Sequence, residues 1–174
     1  MIEYDKYTPL LKGPFKSVDD ALKEADNALR FIRLFIPTAK LIVGGSLPFY
    51  IHYADKNTEI VMNDIDATLF CNVSSNKMAY AWASSRPAGT FKTVPRPDRP
   101  GKDCYIIPVG DIDLHIEYPD YRGDDMDDFL SCDDTSETNV YVFNKNKVYT
   151  FYNNLNREKD QIKLNIMRKK LGIS

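Results

Sequence analysis

The chain has 174 residues with 23 Lys+Arg against 25 Asp+Glu, a formal charge of −2, and a content of 43% hydrophobic and 12% aromatic residues. This composition excludes the low-hydrophobicity regime of disordered chains, and the length suits one domain, expected over residues 1–174. A near-neutral total also excludes a protein that coats nucleic acid or membrane by bulk charge, because such footprints leave a large basic excess.

The opening Met1-Ile-Glu-Tyr-Asp-Lys6 carries acids where a signal peptide needs a basic flank and an apolar run. Beyond it, Ser17 with Asp20 three residues on reads as a capping box. Leu22, Ala25, Leu29, Ile32 and Phe35 then recur at helical spacing until Pro37 ends the helix, so residues 1–37 form an arm and a helix. Residues 38–143 are the expected core. Lys40-Leu-Ile-Val-Gly-Gly45 is a short buried strand running into glycines, and Ser46 reads as the cap of a helix Ser46-Leu-Pro-Phe-Tyr-Ile-His-Tyr53. The longest charge-free apolar run, Leu41 to about Ile51, is broken by Gly44, Gly45 and Pro48, so no membrane span is expected.

Asp64 to Phe70 alternates and ends in β-formers, a second strand, with a helix following over about Asn76 to Ser84. Ser84 to Lys102 contains four prolines, two glycines and five basic residues (Arg86, Lys92, Arg96, Arg99, Lys102) and reads as a long loop, closing over a ligand or merely solvated. Tyr105–Val109 and Ile112–Tyr118 flank the turn Gly110-Asp111 as a hairpin. Glu117 to Glu137 holds nine acids against Arg122 and lacks the glycine and spacing of a calcium loop, which makes it a solvated stretch. Val140–Phe143 is a last strand. Residues 144–174 hold one C-terminal helix, about Lys147 to Leu171, with Val148, Phe151, Leu155, Ile162 and Ile166 on one side and Gly172 at its end. Cys71, Cys104 and Cys132 are odd in number and unpaired in spacing, so neither a disulfide framework nor a zinc site is expected, and a reduced, cytoplasmic setting is. These elements describe an α/β (α+β) chain with a small mixed sheet and helices mainly on one face.

Three pieces carry chemistry. In a strand, residues i and i+2 share a face, so Asp64 and Asp66 project together while Ile65 turns to the core. Paired carboxylates held that way repel each other until a cation relieves them, and they form a hard-oxygen site for Mg²⁺ or Mn²⁺. In the later strand Ile112, Leu114 and Ile116 alternate with Asp113, His115 and Glu117, which places a third carboxylate on a polar face. Gly44-Gly45-Ser46 sits at a strand-to-helix turn, where small residues let the backbone approach a phosphate and the helix N-terminus offers free N–H groups.

The order "LIVGGSLPFY", "NDIDATLF", "GDIDLHIEY" resembles the polymerase-beta-type nucleotidyltransferase superfamily, over about Leu41 to Tyr118. The stretch "REKDQIKL" is similar to the Arg-x-Lys-Asp helix of its small antibiotic-adenylylating and toxin-type members. The resemblance implies the nucleotidyltransferase fold and transfer of a nucleoside monophosphate from a nucleoside triphosphate to an acceptor hydroxyl, with release of pyrophosphate. It implies that Asp64 and Asp66 bind the metals and that Asp113 completes the site and helps deprotonate the acceptor. Gly45 and Ser46, with Gly44, would hold the triphosphate, and Lys159 is the basic residue of the last helix assigned to the nucleotide. The 17 residues between Ser46 and Asp64 exceed the spacing of the compact members, a departure that bears on the subfamily.

Blander readings accompany each piece: a serine-capped turn, a strand end facing solvent, the polar side of a hairpin. His52 reads as structural, His115 as a site candidate, Trp82 and Tyr149–Tyr152 as core packing, and Arg157, Lys159 and Lys163 either reach a phosphate or form a basic outer face. The acceptor stays open among a small-molecule hydroxyl, an RNA 3′ end and a protein side chain, with a homo-oligomer or partner chain compatible with the size. A second class of function is a non-catalytic module of the same fold that binds a nucleotide, RNA or protein. A sugar transferase using Asp64-x-Asp66 fits the upstream glycine turn and Asp113 poorly.

Overall fold

The computed structural model describes residues 14–95, 103–117, 132–134 and 140–173. The N-terminal arm, residues 96–102 of the basic loop and most of the acidic stretch lie outside these. In chain order the elements are α1 (Val18–Arg33), β1 (Lys40–Val43), α2 (Ser46–Tyr53), β2 (Ile65–Phe70), α3 (Val73–Ser84), β3 (Lys92–Pro95) and β4 (Asp103–Val109). They continue with β5 (Ile112–Ile116), β6 (Cys132–Asp134), β7 (Val140–Phe143), α4 (Lys145–Leu155), a 3₁₀ turn (Glu158–Asp160) and α5 (Gln161–Leu171).

The strands form one mixed sheet in the order β3-β4-β5-β2-β1-β7-β6, in which β2 runs parallel to β5 and β1 parallel to β7. The chain is therefore α/β with a mixed sheet, as its alternation implies. Each central strand alternates buried with half-buried residues: Ile65, Ala67 and Leu69 of β2 and Ile112, Leu114 and Ile116 of β5 point to one face. There they meet Ala21, Ala25, Ala28, Leu29 and Ile32 of α1 and Ala79 and Ala83 of α3 in one continuous core. The other face carries Asp66, Thr68, Asp113 and His115.

Local chemistry sets the ends of the elements. The Ser17 Oγ accepts the Asp20 N–H at 3.2 Å and caps α1, while Asn72 accepts the Ser75 N–H at 2.8 Å and starts α3 at Val73, earlier than the spacing indicates. Phe35, expected on the core side, lies beyond the end of α1 and is 66% exposed. The Pro-rich loop contains β3, an edge strand that tolerates Pro95 because its outer side needs no ladder donors. Trp82 is half-exposed with the Arg86 guanidinium over its ring at 5.0 Å, so it is not core.

The largest departure is at the C-terminus, where the single long helix becomes two. Asn156 takes a left-handed φ of 42° and closes α4. The turn that follows is pinned by Arg157 Nε on the buried Asp160 carboxylate at 2.5 Å. The break changes which residues face inward: Val148, Tyr152, Leu164 and Met167 join Phe49 and Tyr53 of α2 in a second core, whereas Phe151, Leu155 and Ile162 are exposed. In this layer the three helices lie side by side. The Tyr53 hydroxyl donates to the Lys145 carbonyl (2.6 Å) and the Tyr152 hydroxyl to the Gly45 carbonyl (3.1 Å), so α4 runs antiparallel to α2. Lys163 donates to Ser46 Oγ and Lys170 to the Tyr53 carbonyl, so α5 runs parallel to α2 and grips both its ends. No helix of the described residues is long and apolar enough to cross a membrane.

The helix break makes a stability prediction. Leu164→Ala empties a fully buried position and should cost about 2–4 kcal/mol in urea unfolding, whereas Ile162→Ala, 76% exposed, should stay within about 0.5 kcal/mol. Equal costs would mean that the C-terminal segment is one continuous helix.

Candidate functional site

Sheet register brings the separated pieces together. Val43 pairs with Ala67 across β1 and β2, and the Gly44 N–H continues that ladder by donating to the Asp66 carbonyl at 2.9 Å. On the other side of β2, Asp66 pairs with Asp113 across the parallel ladder to β5. Gly44, Asp66 and Asp113 thus stand in one row across three strands, roughly 4.8 Å from strand to strand. Asp64 lies just ahead of β2, not within it, and its charge still reaches the other two.

The turn from β1 into α2 presses on this row. Gly45 has φ +63° and ψ −136°, a conformation that L side chains avoid, and a Cβ built on it would lie 2.6 Å from Asp66 Oδ2. Only glycine passes there. Gly45, not Ser46, is the N-cap; Ser46 is the first residue of α2, and its Oγ accepts a hydrogen bond from Lys163 Nζ at 2.7 Å. The Gly44 amide is committed to the sheet, so this residue positions the turn and offers no free N–H to a ligand.

Electrostatics mark the row as unfinished. Burial first and then the Asp66 charge push the Asp64 pKa up, opposed by Lys159 and Lys92. Burial first, then Asp66 and Asp64, push that of Asp113 up, opposed by Lys92 and His115. Burial alone lowers the pKa of His115, but its hydrogen bonds with Asp66 (Nε2 to Oδ1, 3.3 Å) and Cys104 outweigh this and raise it to about 9. The imidazolium is thus a fixed counter-charge on one carboxylate of three. Among the described residues no group of three or more His, Cys, Asp or Glu side chains is arranged to hold a metal ion as it stands.

Lys163 is the residue that sequence reasoning undervalued. Its ammonium donates to Ser46 Oγ and to the Tyr152 hydroxyl (3.3 Å) and stands over the rings of Phe49, Tyr50 and Tyr152 at 5.3–5.7 Å. Burial lowers its pKa, with Asp160 and Asp64 pulling the other way. Its hydrogen-bond partners are neutral, and it faces the positive end of the α2 dipole, an arrangement that an anion would relieve. The signal was present in "YNNLNRE", whose asparagines favour a left-handed helix end. With the break placed there, Lys163 and not Lys159 comes to the turn. Lys159 is exposed at the rim, near enough to Asp64 to lower its pKa. His52 is structural: its Nε2 pairs with the Phe143 carbonyl at 2.8 Å.

No family model matches the chain, and no curated protein matches it. Among solved structures, an antigenic nucleotidyltransferase-like protein from Paracoccidioides brasiliensis is similar at TM-score 0.45 and 12% identity, covering 89% of this chain and 76% of that one.

Two predictions follow from the row and the turn. Gly45→Ala should cost about 1–3 kcal/mol in chemical unfolding, through its positive φ and the displaced Asp66. Gly44→Ala should cost clearly less, because its Cβ would meet a Phe143 ring carbon at 3.4 Å and no strained φ is involved. The second concerns pH. Because the pKa of Asp113 is raised above 3.8, the folded chain holds a proton that the unfolded chain has lost between 3.8 and the raised value, so stability falls as pH rises through that window. Asp113→Asn should therefore raise the melting midpoint at pH 7, and the gain should vanish below pH 3.8. A lowered midpoint at pH 7 would contradict the repulsion.

Proposed function

We propose that the chain is a metal-dependent nucleotidyltransferase that moves a nucleoside monophosphate from a nucleoside triphosphate to an acceptor hydroxyl. The observation that carries this reading is the close approach of Gly45 to the Asp66 carboxylate, so tight that a Cβ would lie 2.6 Å from Oδ2, which brings the carboxylate row up against a helix N-terminus. Nucleotide chemistry needs both, since an anionic triphosphate must lie against a cation site.

What supports a hard divalent cation here is the chemistry of the donors: Asp64, Asp66 and Asp113 offer only carboxylate oxygens, and the charge of Asp66 that raises the pKa of Asp64 and of Asp113 is what such a cation, drawing the three together, would relieve. When bound by these residues, Mg²⁺ or Mn²⁺ would neutralise the triphosphate and lower the pKa of the acceptor hydroxyl. The chain's own groups supply the remainder. The α2 amides, Ser46 and Lys163 bind phosphate oxygens, and Lys159 adds charge at the rim. Asp113, with its raised pKa, takes the acceptor proton as the hydroxyl oxygen bonds to the α-phosphorus. The bond from the α-phosphorus to the bridging oxygen breaks, and pyrophosphate leaves with that oxygen.

The test is transfer of label from α-³²P nucleoside triphosphates to total RNA, cell protein and small hydroxyl compounds. Asp66→Asn should lower the rate about a hundredfold or more, and wild-type turnover by that variant would end the assignment. Lys163→Gln should raise the KM for triphosphate about tenfold while changing kcat less, and Lys159→Gln should do so to a smaller degree.

A further inference from the structure

We propose that the groove between α1 and α3 is a two-fold interface with a second copy of this chain, on the sheet face away from the carboxylate row. Helical spacing makes the groove. Glu24, Phe31 and Phe35 follow one another at seven and four residues along α1 and the turn after it. Met78, Trp82 and Arg86 do so at four and four along α3 and the turn after it, so each helix turns one stripe to the groove. Phe31, Trp82 and Val109 line both of its hollows; Glu24 and Arg86 belong to one hollow, Phe35 and Met78 to the other. The two stripes therefore run antiparallel in matched levels: Glu24 by Arg86, Phe31 by Trp82, Phe35 by Met78.

The floor of the groove belongs to the core, through Leu69, Leu114 and Ile116. Its rims do not: Phe31 is 49% exposed, Phe35 66%, Met78 62% and Trp82 43%. Large apolar side chains gathered on one face, with the Arg86 guanidinium stacked on the tryptophan, have the make-up of an interface centre, where aromatics, Met and Arg are enriched. The apolar hollow, about 190 Å³, falls below the about 300–1,000 Å³ of a ligand pocket. Its walls are apolar and aromatic side chains alone, with nothing to orient a small ligand, and they suit an inserted side chain.

Charge selects the occupant. Among the described residues the Glu24 carboxylate and the Arg86 guanidinium form no ion pair or hydrogen bond, and Arg86 Nε is buried without an acceptor. They stand at the same end of the groove on opposite rims. A partner of one charge sign would satisfy one of them and oppose the other. A second copy satisfies both: a two-fold axis along the groove lays each α1 rim on the partner's α3 rim. Glu24 then meets the partner's Arg86, Phe31 the partner's Trp82 and Phe35 the partner's Met78, each contact made twice. The carboxylate row lies on the opposite face of the sheet and stays open in both copies, so the proposal is independent of the transfer reading.

The experiment is sedimentation equilibrium of the full chain over a wide concentration range, for the wild type, Glu24→Arg, Arg86→Glu, the double variant and an equimolar mixture of the two single variants. The wild type should rise from the mass of one chain to that of two. Each single variant sets like charges against each other at both contacts and should dimerise about tenfold or more weakly. The mixture and the double variant restore opposite charges at both contacts and should dimerise about as tightly as the wild type. A wild type that keeps the mass of one chain throughout overturns the proposal and leaves the groove to a different partner. Single variants that dimerise as the wild type does overturn it too, as does a mixture no tighter than its components, the result expected of a Glu24–Arg86 pair within one chain. Hydrogen exchange of the wild type at low and high concentration needs no variant to fold: concentration should slow exchange around Phe31–Phe35 and in α3, and slowing elsewhere alone overturns the placement.

Discussion

At Gly45 the backbone passes so close to the Asp66 carboxylate that no side chain fits between them. The surrounding geometry depends on that contact. It requires a glycine with positive φ between β1 and α2, and it holds a carboxylate at the start of a helix that has no side-chain cap. It also ties the turn to the sheet register, because the same Asp66 receives the Gly44 N–H on its carbonyl and stands beside Asp113. A shift of β2 by one residue would turn Asp66 and Thr68 into the α1 core and bring Ile65 and Ala67 to the polar face, so the register is fixed by burial as firmly as by hydrogen bonds.

Two groups near this contact are unfavourable taken alone. Burial and the neighbouring Asp66 charge raise the pKa of Asp64 and of Asp113, with the His115 ring paired to Asp66, and a partly buried ammonium faces a helix N-terminus with its hydrogen bonds given to hydroxyls and its flank set over aromatic rings, while the Asp160 and Asp64 charges pull its pKa up. The needs are complementary, a cation on one side and an anion on the other. The three-helix layer explains how the ammonium is kept there: α5 is anchored to both ends of α2, and Tyr152, on the neighbouring α4, braces the Gly45 carbonyl. A polar cluster of this kind weakens the fold locally and persists because the two separate cores, one under the sheet and one among α2, α4 and α5, hold its frame.

Much of this frame was legible in the sequence for a physical reason. Alternation in Ile65–Phe70 and Ile112–Ile116 is a strong period-2 signal, and Gly-Gly before an apolar helix is a strong turn signal, so the strands, the hairpin and the three aspartates could be placed in order. What period cannot show is which strands become neighbours. The pairing of Asp66 with Asp113 is a tertiary fact, set by a parallel ladder between segments far apart in the chain. The C-terminal region was misread for a different reason. Phe151, Leu155 and Ile162 keep a plausible helical spacing across Asn156, and spacing alone does not register a single left-handed residue that rotates everything after it. The same holds for β3: proline and charge argue for a loop, but an edge strand tolerates both.

Calorimetric titration of a nucleoside triphosphate into the wild-type chain, with and without Mg²⁺, is the most direct measurement of whether the carboxylate row and the Lys163 cradle form one site. If they do, the triphosphate should bind about tenfold or more tightly with Mg²⁺ than without it. Triphosphate binding that is indifferent to Mg²⁺, or no binding when both are present, would contradict a single site.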